Sequence, residues 1–333
     1  MIAVLGAGSW GTALALLIAR NRAPVRLWTR NAAAAAALAI ERENRRYLPG
    51  HPFPANIAVE PELEAAAAGA DEVLISVPSH AFRAVLGRVA GTVIRDGSGV
   101  MWATKGLDPE SGRWLHEVAV DALGTAARAA VVSGPTFAGE VAKGLPAAVA
   151  VACADLDRAR RLAGLLHGPR FRAYANDDVA GVSLGGAVKN VLAVAAGVAD
   201  GLGLGANTRA AIVSRGLSEM LRLGRMVGAR PQTLMGLAGL GDLVLTCTDD
   251  QSRNRRFGLA LAAGDRPDEA RERVGGVVEG ATAAPVVLAL AERLGIEMPI
   301  TEQVAAVVRG DAAPAGAVDV LLARSPSTEY EPE

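Results

Sequence analysis

Among its 34 basic residues this chain keeps only three lysines, Lys105, Lys143 and Lys189. Arginine does not replace them where a removable proton is needed, because its guanidinium stays charged at any reachable pH. Lys189 is set in Gly185-Gly186-Ala187-Val188-Lys189-Asn190, with Val191, Leu192 and Val194 following. An amine among residues that prefer burial loses pKa through desolvation and becomes able to exchange a proton near neutrality. A lysine snorkelling past a helix edge would have the same sequence setting. Two adjacent glycines cost a helix about 1 kcal/mol each relative to alanine, so close approach of a cofactor or of neighbouring backbone is expected there.

Gly6-Ala7-Gly8-Ser9-Trp10-Gly11 is a G-x-G-x-x-G between an apolar run and a helical stretch. Gly6 permits the tight turn, Gly8 lets a pyrophosphate approach the backbone, and Gly11 lets the helix pack on the strand. Phosphate charge then meets the helix N-terminus. An NAD site would place an acid at the end of the second strand. Here the strand ends Trp28-Thr29-Arg30, and no acid follows until Glu41. Arg30 can pair with a 2′-phosphate or stack on adenine, which favours NADP without excluding NAD. A solvated surface arginine is the plainer alternative.

Ala103-Thr104-Lys105-Gly106, Val77-Pro78-Ser79-His80 and the loop Ser133 to Ala138 each follow an apolar run. That places them at the carboxyl edge of an open sheet, where ligands bind. Further on, Asp242 stands between Gly241 and apolar residues, hence hydrogen-bonded rather than free. Ser252-Arg253-Asn254 offers hydroxyl, guanidinium and amide donors in succession, a grip for a phosphate; the start of a solvated helix is the bland reading. His51, His80, His116 and His167 show no ligand spacing, so no metal site is expected.

The elements that must position these residues change character midway. Runs at Ile2–Leu5, Val25–Thr29, Glu72–Val77, Gly99–Ala103, Ala129–Ser133, Ala147–Cys153 and Phe171–Tyr174 read as strands between helical stretches. That alternation indicates βαβ units and a parallel-rich sheet. Asn176-Asp177-Asp178 can cap the next helix. From Val179 the segments 180–200, 208–228, 251–264, 280–294 and 300–309 are helical in pattern, with no convincing strand. The fold class is α/β: a Rossmann-type dinucleotide-binding domain over 1–178, then an all-helical substrate domain over 179–323. Residues 324–333 are expected to form a disordered tail.

Composition limits the function. The chain has 333 residues, which suits about two domains. It is 51% hydrophobic with a formal charge of −1, and so lacks the basic excess of a general nucleic-acid or membrane-surface binder. Neither a bilayer-spanning run nor a signal peptide is expected. Cys153 and Cys247 are too few for a disulfide scaffold. A soluble cytosolic protein is the expectation from these counts.

Taken together, GAGSWGTALA, VPSHAF, WATKGL, SGPTFAGEVAKGLP, LGGAVKNVLA, GLAGLGDLVLTCTDDQSRNRRFG, VVEG and GIEMPIT resemble the bacterial-type NAD(P)-dependent glycerol-3-phosphate dehydrogenases from Ile2 to about Arg309. The resemblance implies a Rossmann domain followed by a helical domain. It also implies reversible hydride transfer between NAD(P)H and C2 of dihydroxyacetone phosphate, giving sn-glycerol 3-phosphate for phospholipid synthesis. Lys189 matches the lysine taken as proton donor or acceptor, with Lys105 and Asp242 beside it in the chemistry. Lys105, Gly134, Thr136, Lys189, Asp242, Ser252, Arg253 and Asn254 match positions that bind substrate. Gly6, Gly8, Ser9, Trp10, Gly11, Arg30, Lys105, Ala138, Arg253, Val277 and Glu279 match positions at or near the cofactor.

On this reading Arg253 and Asn254 grip the substrate phosphate, Asp242 holds the Lys189 ammonium, and Lys105 depresses its pKa by like-charge repulsion. Lys143 is left as a solvated residue. After Gly310 the chain departs from its relatives, replacing a basic ending with Ser325-Pro326-Ser327 and acids. Two other readings stay open: a 3-hydroxyacid dehydrogenase or ketopantoate reductase of the same architecture, and a non-catalytic NADP-sensing protein.

Overall fold

The computed structural model describes residues 1–325. Eight strands form one sheet: β1 (Ile2–Leu5), β2 (Val25–Trp28), β3 (Ile57–Glu60), β4 (Glu72–Ile75), β5 (Gly99–Trp102), β6 (Ala129–Ser133), β7 (Ala147–Cys153) and β8 (Phe171–Asn176). Their spatial order is β3-β2-β1-β4-β5-β6-β7-β8. All neighbours are parallel except β6 and β7. The order reverses between β1 and β4, and this switch point opens a crevice at the carboxyl ends of the strands. Gly6 to Gly11 sits there, ahead of the helix Ser9–Arg20.

The central strands β1, β4, β5 and β6 are buried at every position. This is what continuous apolar runs covered on both faces require. β3 was not anticipated. It is a four-residue edge strand in which only Ile57 is buried, too short and too mixed to stand out from its flanking prolines.

Beyond β8 the described chain is helical. Asp178 caps the helix Val179–Gly201 by accepting from the Gly181 N–H at 2.7 Å, as the Asn-Asp-Asp run suggests. This 23-residue helix is buried along most of its length and runs through the middle of the helical core. The helices Gly205–Met226, Asp242–Thr248, Arg253–Ala262 and Glu279–Arg293 pack around it. Gly197 and Gly258 let two of these backbones meet: a Cβ on Gly258 would lie 2.7 Å from the Val198 nitrogen.

Helices Pro267–Val274 and Pro314–Leu322 add to those expected, each opened by a proline at its first turn. The segment expected to be helical from residue 251 starts at Arg253, because Ser252 is its N-cap. Arg324 pairs with Glu297 at 2.7 Å. The rest of the expected tail, 326–333, lies outside the described residues.

Candidate active site

Gly6 lies at a φ of +122°, a conformation only glycine adopts without strain, and its carbonyl packs against the position a Gly11 side chain would need. A Cβ on Gly8, by contrast, would meet nothing within 4 Å. Two glycines of the loop are thus spent on tight packing, and the third leaves the cradle open above the helix N-terminus. Ser9 is anchored by donating to the Tyr47 carbonyl at 2.8 Å, and Trp10 packs on the core below. Arg30 follows β2 at the same sheet edge, exposed and without a hydrogen bond or ion pair among the described residues.

Across the crevice, the chain runs from Leu237 through a π-helical turn to Gly241 and then into the helix Asp242–Thr248. That backbone lies directly on the central helix at Gly185, where a Cβ would collide with the Ala238 carbonyl and come within 3.0 Å of the Gly239 Cα. Of the two compensations weighed for the glycine pair, neighbouring backbone accounts for Gly185. A Cβ on Gly186 would meet the Ser133 hydroxyl at 2.9 Å and the Lys105 stem at 3.5 Å.

The approach at Gly185 delivers Asp242 to Lys189, one turn further along the central helix. Lys189 Nζ donates to Asp242 Oδ1 at 2.9 Å and to Thr246 Oγ1 at 2.7 Å. Thr246 gives its own proton to the Asp242 backbone carbonyl at 2.6 Å, so toward Lys189 it can only accept. Lys105 reaches the other oxygen of the same carboxylate, Oδ2, at 2.5 Å, and the Gly134 carbonyl at 3.4 Å. Asp242 and Lys189 are buried and Lys105 partly so. One anion therefore stands between two cations. Two of the three Lys189 N–H bonds are committed, and no other partner for the amine occurs among the described residues.

Burial is the largest influence on Lys189; Asp242 opposes it and Lys105 adds to it, leaving the pKa lowered from 10.5 to about 8. Burial by itself would raise Asp242, but Lys105 and then Lys189 hold it below the usual carboxylate range. Cys247, nearby, is pushed up to about 12 by burial and remains a thiol.

The Asn254 side chain is engaged within the protein. Its side-chain amide donates to Asn190 Oδ1 at 2.9 Å, and its carbonyl accepts from the Gly280 N–H at 2.8 Å. Ser252 likewise accepts from the Arg255 N–H at 3.2 Å. Ser252 thereby caps the helix Arg253–Ala262, whose first backbone N–H groups have no preceding turn to bond to, while Asn254 ties that helix to the central helix and to Gly280. Arg253 is exposed beside Gly276, with no hydrogen bond or ion pair among the described residues. One residue beyond the Gly280 contact, Glu279 accepts from the Ser79 N–H at 3.2 Å and from its hydroxyl at 2.8 Å. Burial raises the Glu279 pKa, against the pull of those two bonds.

The path Asn190, Asn254, Gly280, Glu279, Ser79 thus ties the central helix to the β4 edge. Val277 is exposed near its middle, while Gly134, Thr136 and Ala138 line the edge after β6. Thr136 donates to the Gly134 carbonyl at 3.3 Å. Lys143 is exposed.

Sequence reading missed Thr246, although Asp242 and Thr246 lie four apart and so share one helix face. It also missed Asn190 and Ser79 as ties across the site.

Residues 1–159 match the model for the N-terminus of NAD-dependent glycerol-3-phosphate dehydrogenase, and residues 178–319 the model for its C-terminus. The glycerol-3-phosphate dehydrogenase [NAD(P)+] of Nitrosococcus oceani is 55% identical over 98% of this chain and 95% of its own length. A crystal structure of the glycerol-3-phosphate dehydrogenase from Coxiella burnetii superposes with a TM-score of 0.93 at 48% identity, covering 97% of this chain and 98% of that one. A ketopantoate reductase from Ralstonia eutropha shares the fold alone, at 17% identity and a TM-score of 0.58 over 96% of this chain and 100% of its own.

Proposed function

The chain belongs to the NAD-dependent glycerol-3-phosphate dehydrogenase family, and from that premise we propose how its own residues carry out the family's reaction, the reversible NAD(P)H-dependent reduction of dihydroxyacetone phosphate to sn-glycerol 3-phosphate. The observation that carries the proposal is the Lys189 amine, buried, lowered to about 8 and held by Asp242 and Thr246.

The open cradle above Gly8 fits a dinucleotide pyrophosphate, with Gly6, Gly11, Ser9 and Trp10 shaping it and Arg30 placed for the adenosine end. Once bound there, the nicotinamide supplies the hydride that reaches C2. Everything else falls to the protein. Lys189 holds the proton that the developing alkoxide needs, and its one uncommitted N–H is the route of transfer. Asp242 and Thr246 fix the amine by its other two N–H bonds, so no reorientation is required as charge moves. Lys105 neutralises Asp242, adds to the lowering that burial imposes on Lys189 and adds positive potential at the substrate oxygen. The substrate phosphate meets the Arg253 guanidinium and the open N–H groups at the start of the Arg253 helix. Glu279 orders the Ser79 turn beside them.

The bare Arg30 favours NADP over NAD. Homodimer formation, a cytoplasmic location and supply of glycerol 3-phosphate for glycerophospholipids complete the proposal. The one helix among the described residues long and apolar enough to cross a membrane, Val179–Gly201, is the core of the helical region.

The experiment is oxidation of NADPH and of NADH with dihydroxyacetone phosphate, ketopantoate and 3-hydroxyacid-derived ketones, with the mass in solution measured alongside. Turnover of the phosphorylated ketone alone supports the reading. Preference for ketopantoate, or no turnover at all, removes it.

A further inference from the structure

Between the carboxyl ends of β5 and β6 and the first turns of the central helix lies a cavity of about 10 Å³. That is the room one water molecule needs, and it leaves none for a larger ligand. Ser133, the last residue of β6, and Ser183 of the central helix both line it. Each is more than nine-tenths buried, and neither hydroxyl oxygen has a hydrogen-bond partner among the described residues. Ser183 therefore does not bond back to the carbonyl of the preceding turn, the common outlet for a serine inside a helix.

The space exists because Gly186 has no side chain. Gly186 follows Ser183 by three residues and so shares its helix face. A Cβ there would lie 2.9 Å from Ser133 Oγ and 3.5 Å from Lys105 Cγ, filling the gap between hydroxyl and lysine stem. Trp102, Val131 and Val182 add apolar wall. Thr104 lines the cavity too; its hydroxyl donates to the Val77 carbonyl at 2.7 Å and is left able only to accept. Buried polar groups are partnered by protein or by ordered water, and a buried water takes roughly two to four partners. Two unpartnered hydroxyls and one acceptor around a space of this size meet that requirement.

We propose that one structural water molecule is bound in this cavity, bridging the Ser133 and Ser183 hydroxyls, and that the two serines act through it as positioning residues for Lys105. Neutral hydroxyls beside the Lys105 chain suit a neutral molecule rather than a second cation. The water takes the place of the side chain that Gly186 lacks and packs against the Lys105 stem. Ser133 leads directly into Gly134, whose carbonyl accepts from Lys105 Nζ at 3.4 Å. The bridge thus ties both the stem and the head of that side chain to the central helix. Lys189, on the same helix, is faced by Asp242, Lys105 and the Cys247 thiol. What holds Lys105 in place therefore governs how strongly Lys189 feels its charge. This positioning role rests on the reaction proposed above; the water site does not.

The test has two arms. In a high-resolution crystal structure of the full chain, an ordered water is expected within about 3.2 Å of both hydroxyl oxygens. The double variant Ser133→Ala with Ser183→Ala should lose it, and so should Gly186→Ala, whose methyl takes its room. No water in the parent, or the two hydroxyls turned onto each other or onto backbone carbonyls, overturns the site. This arm needs no turnover, so its failure and the failure of the reaction assignment are distinguishable. The second arm is the pH profile of kcat/KM for dihydroxyacetone phosphate. A loosened Lys105 repels Lys189 less, so in the double variant the limb near pH 8 should move upward by a few tenths of a unit. Loss of stability alone would not move it. Should the double variant fail to fold, Ser183→Ala alone, which leaves β6 untouched, carries the same comparison. A water in place in the parent and a limb unmoved by its loss would overturn the positioning role.

Discussion

Gly185 and Lys189 lie one turn apart on the central helix, and the bare Cα of the first is what brings Asp242 to the amine of the second. The Ala238 and Gly239 backbone rests where a Gly185 side chain would be, and Asp242 follows three residues after Gly239. The geometry of the Lys189–Asp242 pair depends on a missing methyl group.

Gly185→Ala is therefore expected to cost about 1–3 kcal/mol of stability, as overpacking against backbone does. It should also lower kcat, by moving Asp242 off Lys189. Gly186→Ala meets side-chain atoms of Ser133 and Lys105 rather than backbone, and should be the milder of the two in thermal unfolding. Equal, negligible effects of both substitutions on Tm and kcat would contradict the role given to Gly185.

The pH dependence has a definite sign. If Lys189 is the proton donor, reduction needs its protonated amine, and kcat/KM for dihydroxyacetone phosphate should fall as pH rises through about 8. Oxidation of glycerol 3-phosphate needs the neutral amine and should rise over the same interval. Lys105 pushes Lys189 down by repulsion, so in Lys105→Met the limb of the residual activity should move to higher pH. A limb that moves down, or stays where it was, would remove Lys105 from the tuning of Lys189.

How far the sequence could be read depended on whether the signal was local. The glycine loop, the apolar strands and the Asp178 cap each announce themselves within a few residues, because turn, period and cap chemistry are short-range. β3 did not, since an edge strand with one buried residue has almost no pattern to show. The helix at Pro267 was legible in principle: Arg266-Pro267-Asp268-Glu269 puts a proline at the first helical position and acids in the first turn. Thr246 was of a different kind. A threonine inside an apolar helix carries no sign of the lysine 57 positions away that it contacts. Asn254 shows the converse, a polar residue at the right place whose side chain is occupied in holding the site together.

Arg253→Ala should weaken the phosphate grip. Loss of a charged donor to a phosphate oxygen costs about 1.5–3 kcal/mol, or roughly 10–150-fold in kcat/KM. The loss should be large for dihydroxyacetone phosphate and small for dihydroxyacetone, with cofactor affinity measured separately. Equal losses for the two ketones would show that Arg253 does not act on the phosphate.

Arg30→Ala tests the cofactor choice. With the guanidinium gone, KM for NADPH should rise much more than KM for NADH, because only the former carries the 2′-phosphate. The fold should be unaffected, since Arg30 is exposed and follows β2 rather than packing within it. An unchanged NADPH to NADH ratio of kcat/KM would leave the preference without a residue.

Lys189 decides the mechanism. Lys189→Ala should lower kcat by about 10²–10⁴-fold, the usual contribution of a general acid or base, with cofactor binding nearly intact. That result alone would not separate proton transfer from simple attraction of the substrate oxygen. Lys189→Arg does separate them, because arginine keeps the positive charge but has no transferable proton at working pH. It also opposes Asp242 with a charge of the same sign, so the carboxylate is not left bare in a buried site. If Lys189 transfers the proton, the Arg enzyme should be nearly as slow as the Ala enzyme and the limb near pH 8 should vanish from its rate profile. If the amine acts only by its charge, the Arg enzyme should keep substantial activity across the same range. Near-normal kcat with an unaltered profile would take proton transfer from Lys189 and leave Lys105, on the other oxygen of Asp242, as the remaining amine within reach of the site.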